Sequence, residues 1–283
     1  MLGSDLMAQF KYRHEVIGMD QEEIDITRAD ECRKALAETQ PQLVINAAGF
    51  TNVDGCETDR EACFAVNAEA VKNIAEACRG KNITIVHFST DYVFDGNGSR
   101  PYLEEDVGNP INVYGASKLA GENHLRTITD NYILIRTAWL YGAKGKNFVQ
   151  AILDRARTTG KLTVVDDQTG SPTCTRDLAA ATELLVDKNA RGIFHVTNRG
   201  SCTWYDFARR ILKEAHLDSV ELLPMKTGDL QRAAKRPAYS VLGSQKFVTA
   251  TGKTMQPWQL AFSDYYQLIT SRTCSSDVSH RVK

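Results

Sequence analysis

The feature that most constrains the fold of this chain is an alternation. Short runs rich in β-branched and aliphatic residues, at 15–19, 43–46, 83–89, 132–136 and 162–165, are separated by segments with helical spacing at 28–39, 59–78, 113–129 and 148–159. The runs are nearly all apolar, as expected of parallel strands covered on both faces. Strand–helix alternation of this kind predicts an α/β fold with a doubly wound parallel sheet and right-handed crossovers. After about Gln168 the rhythm changes. Loops at 168–175, 198–203 and 223–237 are rich in Gly, Pro and Thr, with helices near 176–186 and 204–215 between them. This predicts a large domain over 1–165, a smaller lobe over 166–270 interleaved with it, and a polar, frayed tail over 271–283.

Composition narrows the function. The 283 residues carry a net charge of −1, which excludes a charge-driven nucleic-acid binder. No apolar run approaches the roughly 18 residues of a membrane helix. The seven cysteines include no CxxC pair, and no basic-then-apolar segment opens the chain, so free thiols in a reducing cytoplasm are expected. Cys56 and Cys63 are spaced so that they can meet. The histidines form no HxxxH or HExxH pair, so no metal site is expected.

The chemistry concentrates in three places. In the segment Tyr114-Gly-Ala-Ser-Lys118 the phenol and the ammonium lie four residues apart on one helical face. A cation beside the phenol is expected to lower its pKa and let it exchange a proton with an alcohol or ketone oxygen. A plain surface Tyr–Lys pair is the alternative. The run 83–88 ends in Ser89-Thr90-Asp91-Tyr92-Val93-Phe94-Asp95-Gly96. Ligands of open α/β sheets sit beyond the carboxyl ends of the strands, so the hydroxyls of Ser89 and Thr90 are expected to share a crevice with Tyr114. The third place is Asn46-Ala47-Ala48-Gly49, where small residues after a strand admit a flat ligand and its ribose. Asp20, after the first run, can accept bonds from an adenosine ribose or serve as an ordinary turn residue.

These segments resemble the extended short-chain dehydrogenase/reductase superfamily, and Ser-Thr-Asp-Tyr-Val-Phe-Asp-Gly resembles its dTDP-4-dehydrorhamnose reductase branch. Further segments agree: 136–142, 146–148, 167–173, 203–208 and Arg236-Pro237. The resemblance spans residue 2 to about 270. It implies a Rossmann-type NAD(P)-binding domain and reduction of the 4-keto group of dTDP-4-dehydro-L-rhamnose by NADPH or NADH. In that pattern Tyr114 is the general acid, Lys118 tunes it and bonds the nicotinamide ribose, and Thr90 holds the reacting oxygen. Asp91, Trp139 and Arg236 face the nucleotide sugar, with Arg236 at its pyrophosphate. The cofactor is expected against Leu2, Gly3, Asp20, Asp25, Ile26, Ala47, Ala48, Gly49, Phe50, Thr51, Phe88, Tyr114 and Lys118. The absence of an arginine in Gln21-Glu22-Glu23 mildly favours NADH or dual use. A homodimer is compatible with the pattern.

The chain departs from the pattern at its start. Met1-Leu2-Gly3 matches the end of the family's Gly-x-x-Gly-x-x-Gly loop, and the first strand and first two glycines are absent. That strand lies mid-sheet and the loop cradles the pyrophosphate, so exposed strand edges and weakened cofactor binding are expected. Either an internal methionine has been taken as the start, or the chain is truncated. Two rival functions share the scaffold: an NADP-binding regulatory subunit of the methionine adenosyltransferase type, and another nucleotide-sugar epimerase, dehydratase or reductase. Retention of Thr90, Tyr114 and Lys118 together speaks for the reductase. The lack of a Glu next to Asp91 speaks against a dehydratase.

Overall fold

A computed structural model describes residues 1–278. Its centre is a four-stranded, all-parallel sheet. In chain order the first elements are α1 (Leu2–Phe10), α2 (Ala29–Thr39), β1 (Leu43–Asn46), α3 (Val53–Thr58), α4 (Arg60–Phe64), α5 (Ala70–Cys78), β2 (Thr84–Thr90), α6 (Val113–Ile128) and β3 (Tyr132–Thr137). Then follow β4 (Leu140–Tyr141), α7 (Phe148–Thr159), β5 (Lys161–Val165), β6 (Thr169–Gly170), β7 (Thr173–Cys174), α8 (Thr175–Asp187) and β8 (Gly192–His195). The chain continues through β9 (Cys202–Thr203), α9 (Trp204–Glu214), β10 (Glu221–Met225), α10 (Gln245–Thr251) and α11 (Trp258–Val278). The central order is β1-β2-β3-β8.

The period of two along each strand fills both faces. Ile85 and Leu134 point to one side, where they pack with Leu36, Val71, Ile74 and Leu125 from α2, α5 and α6. Val86, Phe88, Ile133 and Ile135 point to the other, against Leu6, Phe10, Leu178 and Phe247 from α1, α8 and α10. The doubly wound sheet is therefore as expected. A second core joins Tyr141, Val149, Ile152, Leu162, Phe207, Ile211 and Phe262, from α7, β5, α9 and α11.

Three expectations are corrected. The run 15–19 forms no strand. Among the described residues no strand flanks it, and β1 pairs only with β2, so a ladder partner is lacking and Ile17 and Met19 stay exposed. The run 162–165 does form a strand, β5, but it joins β10 in a separate parallel pair and not the central sheet. The helix expected over 59–78 is broken into α4, a π-helical turn Ala65–Glu69 and α5. The helix α11 runs to Val278, and residues 279–283 of the tail expected over 271–283 lie outside the described residues.

Candidate active site

The carboxyl ends of β1, β2 and β3 converge on one crevice, and α6 delivers its first turn there. Asn112 caps α6 by accepting from Gly115 N (2.7 Å) and donates from Nδ2 to Lys235 O (2.8 Å). Gly115 allows this approach: a Cβ there would fall 2.0 Å from Tyr92 O. The ring of Tyr114 thereby meets that of Tyr92 edge-on at 5.9 Å, with its hydroxyl in electrostatic reach of Thr90. Thr90 ends β2. Its Oγ1 accepts from Tyr92 N (3.1 Å) and donates to Asp91 Oδ1 (3.0 Å). Ser240 Oγ donates to Asp91 Oδ2 at 2.5 Å. Burial pushes the Asp91 carboxyl up to about 6, against the pull of the Ser240 and Thr90 bonds.

The expected Tyr114–Lys118 pairing needs correction. Burial raises the Tyr114 phenol, the neighbouring Thr90 hydroxyl only partly opposes it, and the Asp91 charge adds to the rise. The ammonium of Lys118 instead donates to Phe88 O at 2.6 Å and lies 3.4 Å from His87 Nε2. A buried ammonium must find acceptors, and the strand end supplies one. Burial lowers Lys118 to about 8, with Glu122 opposing. His87, wholly buried beside this ammonium, is pushed well below its ordinary value and stays neutral. His87 Nδ1 lies 3.3 Å from Asn46 Nδ2, and Asn46 Oδ1 accepts from Ala48 N at 3.1 Å. Lys118 is thus tied through His87 and Asn46 to the small-residue loop after β1.

That loop has the form a dinucleotide requires. Ala47, Ala48, Gly49 and Thr51 are exposed, and a Cβ on Gly3 would lie 3.9 Å from Ala47 Cβ, which puts the amino end of α1 beside the loop. Phe50 is clamped by Asn67, whose Oδ1 accepts from Phe50 N (2.9 Å) and whose Nδ2 donates to Phe50 O (3.0 Å) and to Ser117 Oγ (3.0 Å). Ile26 O accepts from Asn73 Nδ2 (3.2 Å), which anchors the segment expected to line the adenosine side. Asp20 and Asp25 are exposed there, each accepting from its own turn, Asp20 from Glu22 N and Asp25 from Thr27 N and Oγ1. Leu2 is buried in the α1 core and Phe88 mainly in the sheet, Phe88 contributing its carbonyl.

Two substrate-side expectations diverge. Trp139 stands two residues past Thr137, which is in register with Thr90, and its ring stacks on that of Trp204. Arg236 does not present a free guanidinium. It grips Asp54 through Nη1 (2.6 Å) and Nη2 (2.8 Å), and holds that carboxyl down at about 2. So paired, Arg236 ties the segment 234–236 to Asp54 in α3. Sequence reasoning missed Asn67, Ser117, His87 and Ser240. It did foresee the meeting of Cys56 and Cys63, whose thiols lie 2.8 Å apart, both buried.

A parallel doubly wound sheet with a tyrosine, a threonine and a lysine gathered at its strand ends defines the class of nicotinamide-dependent reductases of the extended short-chain type. The chain belongs to the family described as RmlD substrate binding domain, whose model matches residues 1–271. A spore coat polysaccharide biosynthesis protein, SpsK, of Bacillus subtilis is 39% identical over 267 residues, covering 94% of this chain and 93% of that protein. A dTDP-4-dehydrorhamnose reductase of Clostridium acetobutylicum superposes with a TM-score of 0.92 at 39% identity, covering 95% of this chain and 96% of the other. The enzyme of that description from Bacillus anthracis, in complex with NADP, gives 0.91 at 33% identity, with 94% of each chain covered. Among the described residues no helix is long and apolar enough to cross a membrane.

Proposed function

We propose that this chain reduces the 4-keto group of dTDP-4-dehydro-L-rhamnose to the alcohol, with NADPH or NADH as donor. The observation that carries the reading is the gathering of Tyr114, Thr90 and Lys118 at the end of β2, where Lys118 Nζ donates to Phe88 O and the Thr90 side chain adjoins the Tyr114 hydroxyl. The kinship with the two dTDP-4-dehydrorhamnose reductases supports the substrate, and the NADP complex of one of them supports NADPH. When bound, the reduced nicotinamide supplies a hydride. Gly3 and the loop 47–51 would hold the dinucleotide, with Asp20, Asp25 and Ile26 toward its adenosine.

The chain's own residues supply the proton and the alignment. Burial keeps the Tyr114 phenol protonated, so the side chain is loaded as an acid. A ketone oxygen becoming an alkoxide is a stronger base than a phenolate and draws that proton from Oη. Thr90 Oγ1, held by Tyr92 N, would turn its one proton from Asp91 Oδ1 to the same oxygen. Lys118, held at the end of β2, is the cation that would bond the nicotinamide ribose and stabilise the phenolate left behind. Trp139 and Asp91 would contact the sugar. A small nucleotide sugar, not a nucleic acid, fits a chain with a net charge of −1, and the buried free cysteines fit a reducing cytoplasm.

The test is spectrophotometric. NADPH and NADH oxidation is followed with dTDP-4-dehydro-L-rhamnose and, separately, with dTDP-4-keto-6-deoxy-D-glucose. Oxidation dependent on the first sugar, with dTDP-L-rhamnose as product, is expected. Nucleotide binding without oxidation of either cofactor, accompanied by co-purification with an adenosyltransferase, refutes the enzyme.

A further inference from the structure

We infer that Trp204 and Gly170 are positioning residues that hold the indole of Trp139 as one wall of the sugar site. The inference rests on the keto-sugar reading above. Its starting point is an outlier: Trp139 has φ +48°, the left-handed region that a bulky side chain rarely enters and that costs of order 1 kcal/mol or more. Such strain persists only where the surroundings impose it.

Two contacts impose it here. The indole of Trp204 lies flat against that of Trp139, with ring centroids 3.5 Å apart and planes 6° from parallel. Phe148 backs Trp204 in turn, at 4.5 Å. The second contact is with a missing side chain: a Cβ on Gly170 would sit 2.4 Å from Trp139 Cε2 and 2.6 Å from its Nε1. The indole therefore occupies the space that any other residue at 170 would fill. One of its faces is covered by Trp204, yet the residue remains partly exposed.

The same backbone pairing brings both supports together and ties them to the reacting end. Gly170 and Thr169 pair antiparallel with Cys202 and Thr203, so Gly170 and Trp204 are placed by a single two-residue ladder. Thr203 starts α9 with a capping box to Asp206, which fixes the position of Trp204 at the helix's first turn. On its other side Thr169 O accepts from Ser240 N (2.9 Å), and Ser240 Oγ bonds Asp91 (2.5 Å) next to Thr90. A continuous set of bonds thus runs from the oxygen-holding threonine to the tryptophan wall. The wall's distance from the hydroxyl pair decides which sugar ring fits, so this device serves substrate selection rather than proton transfer.

The experiment uses the whole chain and the variants Trp204→Ala, Trp204→Phe and Gly170→Ala. Face-to-face indoles couple their transitions, so the wild type should show an exciton couplet in its far-ultraviolet circular dichroism, lost in both Trp204 variants. Trp204→Ala should raise KM for the dTDP-keto-sugar roughly 3- to 10-fold, the reach of one aromatic pair, with a smaller change in kcat. NADPH affinity should stay within about two-fold, and Trp204→Phe, which keeps a ring in place, should recover most of the KM. Gly170→Ala should reproduce the KM rise with Trp204 intact, which covers the case of a poorly folding Trp204→Ala. An unchanged KM in a folded Trp204→Ala or Gly170→Ala overturns the inference and leaves the proposed reaction standing. So does a KM rise matched by loss of NADPH affinity and not rescued by Phe. A wild-type chain that neither turns over nor binds dTDP-L-rhamnose by calorimetry overturns the substrate reading, and the positioning role with it.

Discussion

Replacing Tyr114 by Phe removes one proton donor and almost nothing else, and the structure permits the two consequences to be separated. Phenylalanine fills the same space against Tyr92 and under the crevice. The neighbouring Thr90 hydroxyl keeps both its bonds, donating to Asp91 and accepting from Tyr92 N. No buried polar group is orphaned, so the folding cost should be about 1 kcal/mol or less, that of an ordinary hydrogen bond. The catalytic cost is of another size. A positioned general acid contributes roughly 10²–10⁴ in rate, which is roughly 2.7–5.4 kcal/mol at about 1.36 kcal/mol per tenfold. Steady-state loss of reduced nicotinamide absorbance should therefore show kcat lowered by two to four orders of magnitude. NADPH affinity and the urea midpoint should stay near wild type. A Phe variant whose kcat stays within about tenfold of wild type would refute the role. Turnover lost in step with unfolding would refute the separation argued here.

Three further outcomes can be measured. Lys118 is held at about 8 against an ordinary 10.5, so between those values the unfolded chain binds more protons than the folded one and stability rises with pH. Below about 8 the full penalty, of order 3 kcal/mol, is present, so Lys118→Met should lose activity yet show a higher urea midpoint than wild type at neutral pH, the gap closing toward 10.5. Gly121→Ala would set a Cβ 2.2 Å from Asn67 O, a clash with backbone that should outweigh the roughly 1 kcal/mol helix-propensity gain and loosen the Phe50 clamp, seen as a lower urea midpoint and weaker NADPH binding. Glu122→Gln leaves the Arg136 guanidinium, gripped by Glu122 at 2.7 Å with 3% of its side chain exposed, as a buried unpaired charge; roughly 3–5 kcal/mol of stability should be lost, and Glu122→Leu with Arg136→Met should recover most of it in denaturant melts.

The parts of this molecule legible in the sequence are those written in local period. The strands β1, β2 and β3 and the helices α6 and α7 follow from apolar runs and helical spacing, and Tyr114, Thr90 and the 46–49 loop follow from their place at strand ends. The direction of the Lys118 side chain does not follow from spacing alone. Four residues on a helix put Lys118 on the face of Tyr114, but which acceptor a long flexible amine reaches depends on the strand beneath it. The run 15–19 has strand composition without a neighbouring strand, and a strand exists only through pairing. The π-helical turn that carries Asn67 to Phe50 has no sequence period of its own. Asp54 and Arg236 stand 182 positions apart, and Asp91 and Ser240 stand 149 apart. Such pairs arise from long-range packing, where no local pattern reports them.

The position of the crevice follows from where the strands change character. Ile45 precedes Asn46 in β1, Val86 precedes His87 in β2 and Ile135 precedes Arg136 in β3, while Phe194 precedes His195 in β8. In β1, β3 and β8 the polar residue stands in the last two positions, whereas in β2 His87 is followed by Phe88 before Ser89 and Thr90 close the strand; all four polar residues are buried. Each such group costs about 1–3 kcal/mol if left unpaired, so this end of the sheet is stable only because it is cross-bonded. Glu122 accepts from Ser89 and from Arg136, Arg136 lies 3.4 Å from His195, and His87 bridges Lys118 to Asn46. A sheet selected for stability alone would continue its aliphatic layers to this edge. Here the bonded layer instead gives Thr90, Tyr114 and Lys118 fixed positions, so their alignment is built before any substrate arrives.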